Sequence, residues 1–252
     1  MTTTGIYGGR TVNLCDPSPP STCPETDPLI LPSATGAGDP PPGCQPTKPA
    51  VPCQSIPPAW IQLAWPVQGD RIPADHGYRL YSALVERLPG LKELAWSLKT
   101  INGIPDRQGW VQLGRESWLG VRTELANLEL FGSLDGQVFR VGKALVQLGT
   151  LTGASLQPCP SLESRLVTIK AQYQDQVSPF EFGIALGKAL ERLGVQSMPV
   201  LGERKTLRIK DAAVVGYGVS FADLSPDASL TLQRQGLGGR QRLGCGYFVE
   251  KC

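Results

Sequence analysis

The stretch Trp60-Ile-Gln-Leu-Ala-Trp-Pro-Val-Gln-Gly-Asp-Arg-Ile-Pro-Ala-Asp-His-Gly-Tyr-Arg-Leu-Tyr-Ser-Ala-Leu-Val-Glu-Arg-Leu-Pro-Gly90 changes its apolar period halfway along. Ile61, Leu63, Trp65 and Val67 alternate with Gln62, Ala64, Pro66 and Gln68, the pattern of a half-buried strand. Pro66 has no N–H for a ladder, which predicts a strand end or a sheet edge there. Further on, Pro73-Ala-Asp75 predicts a helix start with Asp75 as N-cap. Leu80, Leu84 and Leu88 share one helical face until Pro89-Gly90 stops the helix.

The same order returns in the second half of the chain. Val167, Ile169, Ala171 and Tyr173 alternate with Thr168, Lys170, Gln172 and Gln174, and Ser178-Pro-Phe-Glu181 reads as a capping box with proline at the first helical position. Phe182, Leu186, Leu190 and Leu193 line that helix and Gly194 ends it. The endings Leu84-Val-Glu-Arg-Leu-Pro-Gly90 and Leu190-Glu-Arg-Leu-Gly194 match, so we read a duplicated β-α unit joined by the Pro/Gly/Ser-rich residues 149–161. Each half must then complete a sheet. In the first, residues 110–114 and 118–123 are expected to pair as strands, with a short helix over 124–134 and a closing strand over 137–146. In the second, residues 204–210 and 213–221 form a hairpin around Lys210-Asp-Ala212, followed by 225–235 and a last strand over 246–251. The expected class is α+β, with tandem ferredoxin-like (βαββαβ) halves over residues 59–150 and 162–252.

Residues 1–58 hold 14 of the 23 prolines and almost no periodic apolar pattern, which predicts an extended or disordered arm, either a partner-binding segment or a dispensable extension. The 41% apolar content of the 252 residues supports a real core, while a net charge of +2 is too small to argue for nucleic acid by itself. Met1–Arg10 lacks the apolar stretch of a secretory signal, and no apolar run approaches the ~20 residues of a membrane helix. The expected location is the cytoplasm. Seven cysteines, at 15, 23, 44, 53, 159, 245 and 252, include no Cys-x-x-Cys pair, and they read as free thiols rather than a disulfide framework or a zinc site.

Two basic features point to an anionic partner. The C-terminal run Gly236-Leu-Gly-Gly-Arg-Gln-Arg-Leu-Gly-Cys-Gly-Tyr-Phe248 combines backbone free of Cβ atoms with Arg240 and Arg242, a combination suited to phosphate contact. It matches neither a dinucleotide fingerprint, which needs glycine where Gln241 stands, nor a Walker loop. The predicted hairpin places Arg204, Thr206, Arg208 and Lys210 on the face opposite Leu207 and Ile209. A solvated sheet face explains that pattern as well; its occurrence in the half that ends in the glycine-rich loop favours a phosphate-tracking surface.

His76 is the single histidine. At a helix start the dipole favours its neutral form, which accepts a proton at pH 7. From position alone, a histidine at a helix start is more often a surface or capping residue than a catalytic one. Tyr78 and Tyr81 share the helix, where they either orient a phosphate and sugar or pack. The chain shows no His/Cys cluster, no Gly-x-Ser-x-Gly elbow and no compact acidic group for two metals, so neither metal nor cofactor is expected. RNA permits metal-free cleavage, because the 2′-hydroxyl beside the scissile phosphate is itself a nucleophile.

The segments Trp65-Pro-Val-Gln-Gly-Asp-Arg-Ile-Pro-Ala-Asp-His-Gly-Tyr-Arg-Leu-Tyr-Ser-Ala-Leu84 and 236–248 together resemble the CRISPR-associated repeat-processing endoribonucleases, the Cas-six family of the repeat-associated mysterious protein (RAMP) superfamily, in its type I-MYXAN form. The resemblance spans roughly 60–252 and excludes the Pro-rich arm. It implies tandem ferredoxin-like domains and metal-independent cleavage of CRISPR precursor RNA, leaving a 2′,3′-cyclic phosphate and a 5′-hydroxyl. It places the catalytic histidine at His76, with Tyr78 or Tyr81 as second groups, since that helix carries no lysine. The implied RNA contacts are Arg204, Lys205, Arg208, Lys210, Arg234, Gly236, Gly238, Gly239, Arg240, Arg242 and Gly244. The implied partners are repeat RNA and the other subunits of a type I effector complex, serving defence or a transposon. The rival reading is a non-catalytic subunit that holds repeat RNA.

Overall fold

The computed structural model describes residues 59–106, 108–169, 178–209 and 212–251. They form one unit built on two antiparallel sheets with a third, small one beside the first. In chain order the first half contains β1 (Trp60–Gln68), β2 (Arg71–Pro73), α1 (Gly77–Arg87), β3 (Trp96–Lys99), β4 (Ile104–Pro105), β5 (Trp110–Gln112) and β6 (Trp118–Glu124). It continues with α2 (Leu128–Gly132), β7 (Val138–Val141), β8 (Ala144–Leu148) and β9 (Thr152–Ser155). The second half contains β10 (Leu162–Val167), α3 (Pro179–Arg192), β11 (Val200–Ile209), β12 (Ala212–Phe221), α4 (Pro226–Gln235) and β13 (Val249–Glu250).

The second sheet runs β11-β12-β10-β13, every pair antiparallel, with α3 and α4 as its two crossovers. This is the ferredoxin-like order. The first sheet runs β3-β6-β1-β8-β7 with β9 also on β1, the same arrangement with its last strand split. Tandem ferredoxin-like lobes therefore account for both main sheets.

The helices form for the reasons legible in the sequence. Ser178 accepts from the Glu181 N–H while the Glu181 carboxylate accepts from the Ser178 N–H, a complete capping box worth about 1 kcal/mol. Phe182, Leu186 and Leu190 are buried against β12, and Gly194 ends the helix with φ of 68°. In α1, Leu80 and Leu84 are fully buried and meet Trp65, Leu63 and Trp96 in the first core.

Several expectations change. Pro66 stands inside β1, in mid-sheet. Its missing N–H falls where the neighbour of β1 switches from β9, which ends at Ala64, to β8, which starts at Val67. Asp75 does not cap α1: His76 is the N-cap, and Pro73 belongs to β2. Trp110–Gln112 and Trp118–Glu124 do not pair with each other. The first joins β2 and β4 in the small sheet and the second lies between β1 and β3. The single strand expected over 137–146 is a hairpin turning at Gly142, where φ is 68°. The stretch expected as the joint contributes β9 to the first sheet. The strand expected at 167–174 lies earlier, at Leu162–Val167; Ala171 and Tyr173 fall outside the described residues. Cys159 and Cys245 are free thiols. No helix among the described residues is long and apolar enough to cross a membrane.

Candidate active site

His76 sits where the first lobe meets the second. Asp75, just before it, accepts a hydrogen bond from the backbone N–H of Arg208 on β11, so the edge strand of the second sheet is capped by a carboxylate of the first lobe. The His76 carbonyl accepts from Leu80 N–H at 2.8 Å and starts α1. Gly77 then passes so close to the glycine-rich loop that a Cβ there would lie 2.3 Å from the Leu243 carbonyl oxygen, which only glycine permits.

The His76 ring is only 3% exposed, and its Nδ1 lies 2.8 Å from the Pro73 carbonyl oxygen. A carbonyl only accepts, so this contact puts the proton on Nδ1 and leaves a lone pair on Nε2. Nε2 is buried with no partner among the described residues. Burial is the main reason that the imidazole titrates low, at about 4, with Arg165 and Lys99 adding repulsion against the Pro73 hydrogen bond. The neutral form expected from the helix dipole is thus present, chiefly for want of solvent.

A cavity of about 370 Å³ opens at this ring. Ala74, Lys99, Thr100, Ile101, Asn102, Gly103, Pro105 and Val111 line it from the first lobe, and Arg165, Gly244, Tyr247 and Val249 from the second. The Lys99 Nζ lies 3.7 Å from the centroid of the Trp118 ring and 3.5 Å from Asn102 Oδ1. Burial, helped by Arg165, lowers this ammonium to about 8. The Tyr247 hydroxyl is a poor proton donor. It donates to Gln62 Oε1, burial pushes it up to about 12, and the Arg122 guanidinium covers its ring at 4.2 Å. Arg122 in turn donates to Gln62 and to the Gln233 carbonyl, which ties β6 to α4 across the lobes.

The residues singled out in the sequence fall into separate places. Gly244 joins His76 at the cavity, whereas the rings of Tyr78 and Tyr81 do not line it. Tyr81 stacks on Trp96 at 6.0 Å and packs on the first core. Arg234, Gly238, Arg240 and Arg242 meet around a second cavity of about 510 Å³ with Trp60 and Trp96. Gly236 and Gly239 line its neighbour with Arg192 and Arg240. Arg242 commits two donors to the first lobe, at 2.9 Å to the Lys92 carbonyl and 2.7 Å to that of Leu94. Arg204 and Arg208 are exposed on β11, and Lys205 points to the opposite face, into a groove that also holds Arg165. Lys210 lies outside the described residues. Lys99 and Arg165 escaped the sequence reading: residues 96–99 are too short a strand to stand out, and Arg165 precedes the stretch read as the second strand.

The model of the Cas6 CRISPR family matches residues 61–251, both lobes almost end to end. The chain belongs to the Cas6 family. A CRISPR-associated endonuclease Cas6 from Myxococcus xanthus (strain DK1622) is 34% identical over 191 residues, covering 75% of this chain and 81% of that protein. Among solved structures, a CRISPR-associated Cas6 protein superposes with a TM-score of 0.58 at 15% identity, over 77% of this chain and 100% of the other. A RAMP protein described as binding different RNA substrates gives 0.60 at 12% identity, over 76% and 100%. At these identities the structural likeness concerns the fold. The Cas6 match includes His76, Lys99 and Arg165 within its span.

Proposed function

We propose that this Cas6-family protein is an endoribonuclease that binds CRISPR repeat RNA and cuts it by attack of a ribose 2′-hydroxyl on the adjacent phosphorus. The observation that carries the mechanism is the pair His76 and Lys99 in one cavity between the lobes, one neutral and one cationic at pH 7. Two titratable groups driven apart by their surroundings make an acid–base pair. His76 Nε2 takes the 2′-hydroxyl proton, and O2′ forms a bond to phosphorus. The bond from phosphorus to the 5′-oxygen breaks, with Lys99 protonating that leaving oxygen. Arg165 faces the charge that builds on the phosphoryl oxygens. The products are a 2′,3′-cyclic phosphate and a 5′-hydroxyl. Lys99, rather than Tyr78 or Tyr81, supplies the second proton.

Arg204 and Arg208 on β11, with Arg234, Arg240 and the glycine-rich loop, bind the phosphate backbone away from the cut. The protein works beside other subunits of a type I CRISPR complex, and the lobes correspond to two domains, the first running on past 150 to include β9 and the second over 162–252. End-labelled repeat RNA incubated with the protein in EDTA tests the nuclease reading on a denaturing gel. The expected result is a discrete product ending in a cyclic phosphate; RNA that is shifted on a native gel yet stays intact would make this a binding subunit instead.

The pH profile is a sharper test of the pair. The acid works only while protonated and the base only while neutral. In the free protein kcat/KM should hold between about 4 and about 8 and fall above that as Lys99 deprotonates. Lys99→Met should cost about 10²-fold in single-turnover rate and erase the alkaline limb. An unchanged limb in that variant would remove Lys99 from the mechanism.

A further inference from the structure

The cavity at His76 is larger and less polar than a phosphate requires. At about 370 Å³ it is in the size range of small-molecule sites, roughly 300–1,000 Å³. One wall is apolar and comes from outside the ferredoxin-like framework: Val111 and Pro105 from the small β2-β5-β4 sheet, and Ile101 from the segment leaving β3. The proton-transfer and cationic groups His76, Lys99 and Arg165 line the same space. A bare phosphate leaves the apolar wall unused, and an apolar ligand leaves the cations unused. A nucleotide uses both.

We infer that this cavity holds one whole nucleotide of the RNA, the one bearing the attacking 2′-hydroxyl, with its base against Val111, Ile101 and Pro105. This rests on the endoribonuclease reading. The unpartnered, buried Nε2 of His76 sets where that ribose must sit, and its base is one glycosidic bond away. The small sheet is thereby a specificity element. Asn102 has no acceptor left to offer a base. Its oxygen already accepts from Trp118 N–H and Lys99 Nζ, and one of its two N–H groups donates to the Glu116 carbonyl. It thus positions Lys99 with a single N–H left over, and discrimination falls mainly to the shape of the apolar wall.

The test uses defined probes. The four nucleoside 2′,3′-cyclic monophosphates and, as a control without a base, ribose 5-phosphate are titrated by NMR into the full-length protein. At least one cyclic nucleotide should bind about ten- to a hundredfold more tightly than ribose 5-phosphate, the size expected for burying one face of a base against apolar side chains. Val111→Trp fills the wall from within, and Pro105→Trp fills it from the exposed rim where folding is not at risk. Each should remove that increment, read within each variant as the ratio of cyclic-nucleotide to ribose 5-phosphate affinity. Five probes that bind alike, or an increment that survives both variants, would overturn the inference. A second arm uses repeat RNA made abasic on the 5′ side of the cut, expected to be cleaved about ten- to a hundredfold more slowly than intact RNA. Equal cleavage of both RNAs sinks the base pocket and leaves the nuclease standing. Base-dependent nucleotide binding without any RNA cleavage does the reverse.

Discussion

Replacing His76 with alanine is expected to slow repeat-RNA cleavage by about 10²–10⁴-fold while changing RNA affinity by little. The rate loss follows from the lone pair on Nε2, which is the base in the proposed reaction; the same proposal assigns affinity to arginines elsewhere on the protein. Because the His76 side chain is buried and bonded to the Pro73 carbonyl, alanine also removes that contact, so His76→Asn is the companion variant. An asparagine amide can donate to the Pro73 carbonyl as Nδ1 does, yet it offers no base at the Nε2 position. Both variants should be equally inactive although they differ in thermal stability. Single-turnover cleavage at saturating protein, with affinity measured separately by filter binding, resolves the two effects. Cleavage by the asparagine variant at the unsubstituted rate would disprove the assignment of the base.

The second large effect concerns the glycine-rich loop and is one of stability. Gly246 has φ of 64°, and a Cβ there would sit 2.1 Å from the Leu237 carbonyl oxygen and 3.1 Å from its nitrogen. The same residue donates to the Leu166 carbonyl and accepts from Leu237 N–H, so it closes the loop onto β10. Alanine must pay for the left-handed conformation, about 1–2 kcal/mol, and push apart two backbone segments, about 1–3 kcal/mol more. Gly246→Ala should therefore lose about 2–5 kcal/mol in urea unfolding. Gly187→Ala is the control: it lies exposed in α3 with nothing within 4 Å of the added carbon, and it should gain about 0.5–1 kcal/mol. An unfolding midpoint for Gly246→Ala equal to that of the unsubstituted protein would contradict the loop geometry.

This assigns the loop two tasks. Its glycines let the chain press against itself, against Thr168 through Gly239, and against the start of α1 at Gly77. Arg234 and Arg240 line the second cavity, and Arg242, which lines it too, also helps fasten the lobes. Composition alone pointed to phosphate contact by the whole run. The structure divides the run because Gly244 faces the His76 cavity and the arginines line a different one.

What could be read from the chain alone was whatever neighbours in sequence decide. The period-2 run of β1, the leucine face of α1, the Ser178–Glu181 capping box and the β11–β12 hairpin all depend on residues within a few positions of one another, and each is present. So does the placement of His76 at a helix start. Strand partnership is different, since a three-residue strand such as Trp110–Gln112 has too little pattern to name its neighbour. Its choice of β2 over β6 depends on how the chain folds back. The same holds for the chemistry. Sequence located an imidazole, but its lowered proton affinity comes from burial, and its companions Lys99 and Arg165 reach it from β3 and from the second lobe. Burial and charge proximity are properties of three-dimensional packing, so the meeting of His76, Lys99 and Arg165 in one cavity, on which the proposed acid–base pair rests, is decided only once both lobes are in place.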